Sequence, residues 1–171
     1  IQYTDSGNFD FAYYKNHKHR SREYKDKQTN RMRFRKDPLS PVVCHAIGFM
    51  LLTGRRCGSE VLKLTWDQVD KTQFETVTYS PLQNKSNENK TYILGPLASK
   101  LLKAIWGART SAGNPYTRRG DDRDNYVFPS IRFGKTTWQH KTQKTAHITR
   151  PHKTWFNMLE ELSLPKVPLY N

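Results

Sequence analysis

Apolar residues recur at spacings of three and four along three segments of the chain, which predicts three helices. The first covers Ser40–Thr53, where a serine cap and a following proline favour helix initiation and Gly54 favours termination. This segment is apolar on nearly every side, so we expect it to be buried. The other two helices cover Pro96–Trp106 and Pro151–Leu162, and each has apolar residues along one face.

A short helix and two strands are predicted between the first and second of these helices. The helix covers Gly58–Leu64, with Ser59 as a suitable cap. The segments Phe74–Tyr79 and Thr91–Leu94 are rich in β-branched residues and read as strands. A polar, turn-rich stretch over 82–90 separates them, so we expect a β-hairpin with a basic tip.

The first 36 residues differ from the rest in charge. Residues 15–36 hold ten lysines and arginines against two acids, a net charge of +8. Such a run is either a solvated surface or a contact with nucleic acid, and the interleaved aromatic residues favour the contact. We therefore predict DNA contacts at Lys18, Arg20 and Arg22. A short helix is expected over Lys27–Arg35, and it would end before Pro38.

The whole chain is basic as well, with 29 lysines and arginines against 15 acids in 171 residues, a net charge of +14. A field of this sign attracts polyanions, and double-stranded DNA is the partner that we expect. There is no run of about 18 apolar residues, so no membrane partner is predicted. The first ten residues lack a signal-peptide pattern, which predicts a cytoplasmic location, at the bacterial nucleoid or on the DNA of a host cell.

Neither the cysteines nor the clustered acids predict a metal site. Cys44 and Cys57 are either two reduced thiols or one disulfide, and they lack the spacing of zinc ligands. Asp121, Asp122 and Asp124 lie among arginines, so an ion-paired loop is favoured over a metal-binding one. No cofactor is predicted.

The segment from Leu51 to Asp70 resembles the first catalytic box of the tyrosine recombinases, the phage integrase family. The box reads T-G-x-R, then a glutamate, then L-x-L-x-W-x-D. The chain has Thr-Gly-Arg-Arg, Glu60 and Leu-Lys-Leu-Thr-Trp-Asp in that order, with Asp67 directly after Trp66. One departure is clear: three residues separate Arg56 from Glu60, where the family has two. The T-G-x-R count assigns the catalytic arginine to Arg56, with Arg55 as the alternative and as a predicted DNA contact.

The resemblance implies a fold, a reaction and further site residues. The fold would be α+β and mainly α, the helical catalytic domain of the recombinases with a small antiparallel β-sheet. Residues 37–171 would form the N-terminal portion of that domain, and residues 1–36 a basic arm or linker, the tail of a core-binding domain. Lys85 at the hairpin tip would be the general acid, with Lys90 as a weaker candidate that contacts DNA.

The implied function is site-specific DNA recombination or integration through a phosphotyrosyl intermediate, which needs no metal or nucleotide cofactor. Family members work as homotetramers on paired sites, so a homo-oligomer on DNA is expected. An arginine suits this chemistry because its planar fork of donors matches the oxygens of the phosphorane-like transition state.

The second catalytic box of the family, H-x-x-R followed by the nucleophilic tyrosine, is not identifiable. His147 to Arg150 spells H-x-x-R, but Pro151 follows where the family continues a helix. We therefore expect this chain to carry the first half of the active site and to bind DNA without cleaving it. The alternatives are a non-catalytic DNA-binding module and, from charge alone, an RNA-binding protein of ribosomal type.

Overall fold

A computed structural model describes residues 21–25, 32–36, 40–83, 87–136, 142–149 and 151–169, with the backbone alone for the first two ranges. Its fold is α+β, since the described residues form α-helices and two-stranded antiparallel sheets. The strands are β1 (Ser21–Lys25), β2 (Met32–Lys36), β3 (Thr76–Tyr79) and β4 (Lys90–Ile93). The helices are α1 (Pro41–Thr53), α2 (Pro96–Ala108) and α3 (His152–Glu161), with short helical turns at Cys57–Val61, Trp66–Gln68 and Asp122–Asn125. No helix in the described ranges has the length and apolarity to cross a membrane.

Helix α1 is the central element, and its predicted bounds are confirmed. It begins after Ser40 with a proline in the first turn and ends where Gly54 adopts a left-handed conformation, with φ of 63°. It packs against α2, α3 and the turn at Cys57–Val61. The consecutive residues from Cys44 to Met50 are all buried, as expected for a segment that is apolar on nearly every side. The expected burial does not extend to the last turn, where Leu51 is 64% and Leu52 40% exposed.

The other helices bury one face each. In α2 the buried residues are Ala98, Leu101, Leu102 and Ile105, whereas the apolar Leu97 in its first turn is 45% exposed. The predicted helix at Pro151–Leu162 is confirmed as α3. Its Trp155 donates a hydrogen bond from Nε1 to the carbonyl of Val167 at 2.7 Å, so the following segment folds back along the helix.

The predicted β-hairpin is confirmed as β3 and β4. Their antiparallel register pairs Val77 with Tyr92 and Tyr79 with Lys90. Residues directly opposite each other share a face of the sheet. Val77 and Tyr79 are fully buried, so this face covers the core. Lys85, expected at the tip, lies outside the described residues.

One predicted helix is wrong, and another is shorter than expected and of a different helical type. Residues 32–35, expected in a helix over Lys27–Arg35, belong to strand β2, which pairs with β1. The segment expected to form a helix from Gly58 is instead one wide turn over Cys57–Val61, and Arg56 rather than Ser59 stands at its N-cap. Both segments are too short for their apolar residues to show whether the period is that of a helix or of a strand. Strand pairing determines the structure of the first segment, and hydrogen bonds to Arg56 and Cys57 determine that of the second.

A buried arginine ties the loop after α2 to the core. The Arg109 guanidinium lies over two indole rings, 5.2 Å from the ring centroid of Trp66 and 4.6 Å from that of Trp106. Its Nη2 donates to the carbonyl of Asp124 at 2.9 Å. Arginine suits this position because its planar cation stacks on aromatic faces while its edge donates hydrogen bonds.

The acidic loop contains the ion pairing that its composition predicts. Asp121 forms a salt bridge with Arg123, whose hydrogen bonds hold the pKa of that carboxyl at about 2. Asp124 accepts hydrogen bonds from the backbone of Arg119 and Gly120. Within the described ranges, no group of three or more His, Cys, Asp or Glu residues is placed to hold a metal ion. Cys44 and Cys57 are both buried, and within the described ranges they form no disulfide.

His45 is a polar residue in the middle of the most buried helix. Its side chain is 1% exposed, and its Nδ1 lies 2.7 Å from the hydroxyl of Tyr116, with which it also stacks. Burial lowers the pKa of His45 from 6.5 to about 4, because the charged imidazolium would lose its hydration.

Acidification should therefore destabilise the protein through His45. Between pH 6.5 and about 4 the unfolded state binds a proton that the folded state excludes, so stability is complete above pH 6.5 and falls as pH approaches 4. The full loss from this residue is on the order of 3 kcal/mol. Urea unfolding at several pH values should show a shallower decline for His45→Gln than for the wild type. An unchanged decline in that variant would contradict the assignment.

Candidate phosphate-binding site

The end of α1 determines where the arginine pair of the T-G-x-R segment lies. The Gly54 N–H donates to the carbonyl of Met50 at 2.8 Å, and its positive φ turns the chain out of the helix. The Thr53 hydroxyl donates to the carbonyl of Phe49 and also accepts from the N–H of Arg55 at 3.4 Å. The first residues after the helix are thus anchored to its last turn.

A wide helical turn follows Arg56. The carbonyl of Arg56 accepts from the N–H of Val61 at 3.0 Å, and that of Cys57 accepts from the N–H of Leu62 at 2.9 Å. These bonds span five residues, the π-helical pattern, rather than the four of an α-helix. A π turn holds one residue more than an α turn. The third residue between Arg56 and Glu60, which departs from the recombinase box, is therefore accommodated by the turn itself.

The wide turn brings the Glu60 carboxylate back onto its own N-terminus. Glu60 is 5% exposed, and its Oε2 accepts from the backbone N–H of Arg56 at 2.8 Å. In an α-helical capping box the returning side chain comes from the third helical residue. Here it comes from the fourth, as the extra residue of the turn requires. The contact fixes the backbone of Arg56.

The two arginines have different environments. The Arg55 guanidinium lies 4.0 Å from the ring centroid of Tyr92 on β4, and its Nε donates to the carbonyl of Thr53 at 3.3 Å. Arg55 thus joins the end of α1 to the hairpin. Arg56 is partly exposed, and in the portion of the chain that the structure describes its guanidinium makes no hydrogen bond or ion pair. Arg56 is therefore the arginine whose donors are available to a ligand.

The hairpin adds positive charge near the arginine pair. Lys90 precedes Tyr92 by two residues on β4, so both lie on the same face of the sheet, about 7 Å apart along the strand. Tyr92 is the residue that Arg55 stacks on, and Lys90 is exposed. This is the face that covers the core, because Val77 and Tyr79 lie opposite Tyr92 and Lys90. Arg55 contacts β4 at Tyr92, and Lys90 remains exposed at the end of the same strand. Lys85, the predicted general acid, lies outside the described residues.

The predicted contacts in the basic N-terminal run are described in part. Lys18 and Arg20 lie outside the described residues. Arg22 lies on strand β1, where the register places it opposite Arg35.

Comparison with protein-family models gives no match, and neither does comparison with curated proteins or with solved structures. The interpretation of the site consequently rests on the residues and their geometry.

Two residues of this site received no role from sequence reasoning. The box glutamate, Glu60, was noted only for its spacing, and its hydrogen bond to the Arg56 N–H depends on a turn type that spacing does not specify. Tyr92 lies in the predicted strand Thr91–Leu94, and its pattern indicates no further role. The arginine that it stacks on lies 37 positions earlier in the chain, so the contact has no local sequence signal.

The length of the Glu60 side chain should matter more than its charge. Glu60→Gln keeps an acceptor that reaches the Arg56 N–H, so we expect a loss of less than about 1 kcal/mol. Glu60→Asp keeps the charge but is one methylene too short to span the wide turn, and we expect it to lose about 1–3 kcal/mol. Urea unfolding measures both, with the exposed Glu75→Gln as the control. An aspartate variant as stable as the glutamine variant would contradict this account.

Proposed function

We propose that this chain binds the phosphate backbone of duplex DNA through Arg56, as the first half of the active site of a tyrosine recombinase-type domain. The observation that carries the proposal is the pairing of a fixed backbone with a free guanidinium at one residue. Glu60 holds the Arg56 N–H, and the guanidinium has no partner within the described ranges. A donor fork on a rigid support is what phosphate recognition and transition-state stabilisation both require.

The neighbouring residues support the same assignment. Arg55 is engaged with Tyr92 and Thr53, so it adds positive potential without offering its whole fork to a ligand. Lys90 extends the basic surface along the hairpin, and the chain as a whole carries a charge of +14. When exposed lysines and arginines contact DNA phosphates, they displace the cations condensed on the DNA, so such a surface favours DNA binding strongly at low salt.

The proposed reaction is strand breakage and rejoining by a tyrosine nucleophile. Attack on the phosphodiester adds charge to the nonbridging oxygens, and the Arg56 fork would neutralise that charge. Lys85, carried over from the family pattern, would protonate the leaving 5′-oxygen. The phosphotyrosyl bond conserves the energy of the broken phosphodiester, so the reaction needs no metal or nucleotide. Assembly as a tetramer on paired sites stays a prediction.

Replacing Arg56 should weaken DNA binding without unfolding the protein. For Arg56→Ala we expect roughly tenfold weaker binding to duplex DNA and a salt dependence whose slope is smaller by about 1. Fluorescence anisotropy over a range of salt concentrations measures both quantities. Arg56→Lys keeps the charge and should restore the slope, but it should recover only part of the affinity because the bidentate fork is lost.

Two controls give this measurement its meaning. Arg132→Ala removes one exposed arginine from a different loop, and it should change affinity much less than Arg56→Ala. Duplex RNA at the same salt concentration tests the RNA-binding alternative. Equal losses for both alanine variants would show that net charge alone is responsible, and a preference for RNA would overturn the DNA assignment.

The recombination reaction is tested on the protein as its source produces it, including any residues beyond 171. A nicked duplex traps the covalent intermediate, because the short strand that is released diffuses away after cleavage. A phosphotyrosyl adduct that disappears in Arg56→Ala and persists in Arg132→Ala would support the recombinase assignment. DNA binding without an adduct would support a non-catalytic DNA-binding module instead.

A further inference from the structure

The register of β1 and β2 sorts their residues by chemistry. The pairs are Ser21 with Lys36, Arg22 with Arg35, Glu23 with Phe34, Tyr24 with Arg33 and Lys25 with Met32. Residues directly opposite share a face, and successive residues along a strand alternate between faces. One face of the ribbon therefore holds Arg22, Tyr24, Arg33 and Arg35. The other holds Ser21, Glu23, Lys25, Met32, Phe34 and Lys36.

The first of these sets, here called the arginine face, has no acid. The only acid of the two strands, Glu23, is on the opposite face together with the apolar residues. Arg22 stands directly opposite Arg35, and like charges at such positions destabilise a strand pair. The ribbon is also only two strands wide, which is marginal for stability in water. A polyanion lying on the arginine face would remove the repulsion and stabilise the pairing.

The dimensions of a two-stranded ribbon select the place on DNA where it fits. Its strands lie about 4.8 Å apart, and the major groove of B-form DNA, about 12 Å wide, admits such a ribbon. The minor groove, about 6 Å wide, is too narrow for it. The major groove of double-stranded RNA is deep and narrow, so RNA does not offer an equivalent site.

We infer that the β1–β2 ribbon enters the major groove of duplex DNA with its arginine face toward the base edges. This inference rests on the proposed function in that both take duplex DNA as the partner, but it concerns a second contact, made to bases rather than to the backbone. Arginine reads guanine through paired hydrogen bonds to O6 and N7. The three arginines of this face therefore favour guanine-containing sequence.

The chain offers a matched pair of variants, one for each face. Arg33→Gln with Arg35→Gln removes two charges from the arginine face, and Lys25→Gln with Lys36→Gln removes two from the opposite face. Binding of the full chain to a guanine-rich duplex is measured by anisotropy at one salt concentration. We expect the arginine pair to weaken binding at least tenfold more than the lysine pair. Circular dichroism and thermal unfolding confirm that both variants remain folded.

A modified duplex tests the groove directly. Replacing guanine by 7-deazaguanine removes the N7 acceptor from the major groove and leaves the phosphates unchanged. The wild type should bind this duplex on the order of tenfold more weakly. Arg33→Gln/Arg35→Gln retains only Arg22 on this face and should show a much smaller difference between the two duplexes. Arg33→Lys/Arg35→Lys, which keeps the charge and the strand length, serves as the second variant and should keep more of the preference for guanine than the glutamine variant, because lysine can also donate to O6 and N7.

Each outcome decides one question. Equal losses from the two glutamine pairs, or no effect of 7-deazaguanine, would overturn the arginine-face inference. If Arg56→Ala still weakened binding in that case, the proposed function would survive without the ribbon contact. If the wild type did not bind duplex DNA at all, both proposals would fail.

Discussion

The last carbonyls of an α-helix have no partner inside the helix, so the residues that follow it or solvent must supply their hydrogen bonds. Helix α1 meets this constraint through the left-handed Gly54, whose N–H returns to Met50, and through the Thr53 hydroxyl, which bonds to Phe49. The chain can leave the helix end in only one direction once these bonds form. That direction determines where the arginine pair and the wide turn stand, and thus the geometry of the candidate site.

The end of α1 also gives the two adjacent arginines different contacts. Arg55 follows the helix end closely, bonds to Thr53 and stacks on Tyr92, so its cation holds the hairpin against the helix. Arg56 is one residue further and has its backbone held by Glu60. Because Glu60 holds the backbone of Arg56 in position, the Arg56 side chain remains available to a ligand without loss of local order. The π turn is necessary for this arrangement, because an α turn would place Glu60 out of register with the Arg56 N–H.

The helices and the hairpin could be predicted because their signals are local. Pro41 and Gly54 mark the two ends of α1, and the alternation in Phe74–Tyr79 has the period of a strand. The wide turn was beyond prediction, although the extra residue before Glu60 was noticed, since an inserted residue can enlarge either a loop or a helical turn. The β1–β2 ribbon was missed because its charges obscure any apolar period and its pairing joins residues up to 15 positions apart. The expected division between residues 36 and 37 stays a prediction.

The two proposed contacts would contribute differently to DNA binding. Arg56 follows a packed helix and lies at a capped turn, so little backbone conformational entropy is lost when it meets a phosphate, and its interaction is indifferent to sequence. The ribbon brings like charges together in a marginal two-stranded sheet, so part of its interaction energy with DNA would be spent on stabilising the ribbon itself. What remains depends on the base that each arginine meets. A protein built this way would draw much of its affinity from the rigid site and its selectivity from the weak one, because only the weak element contacts groups that differ between sequences.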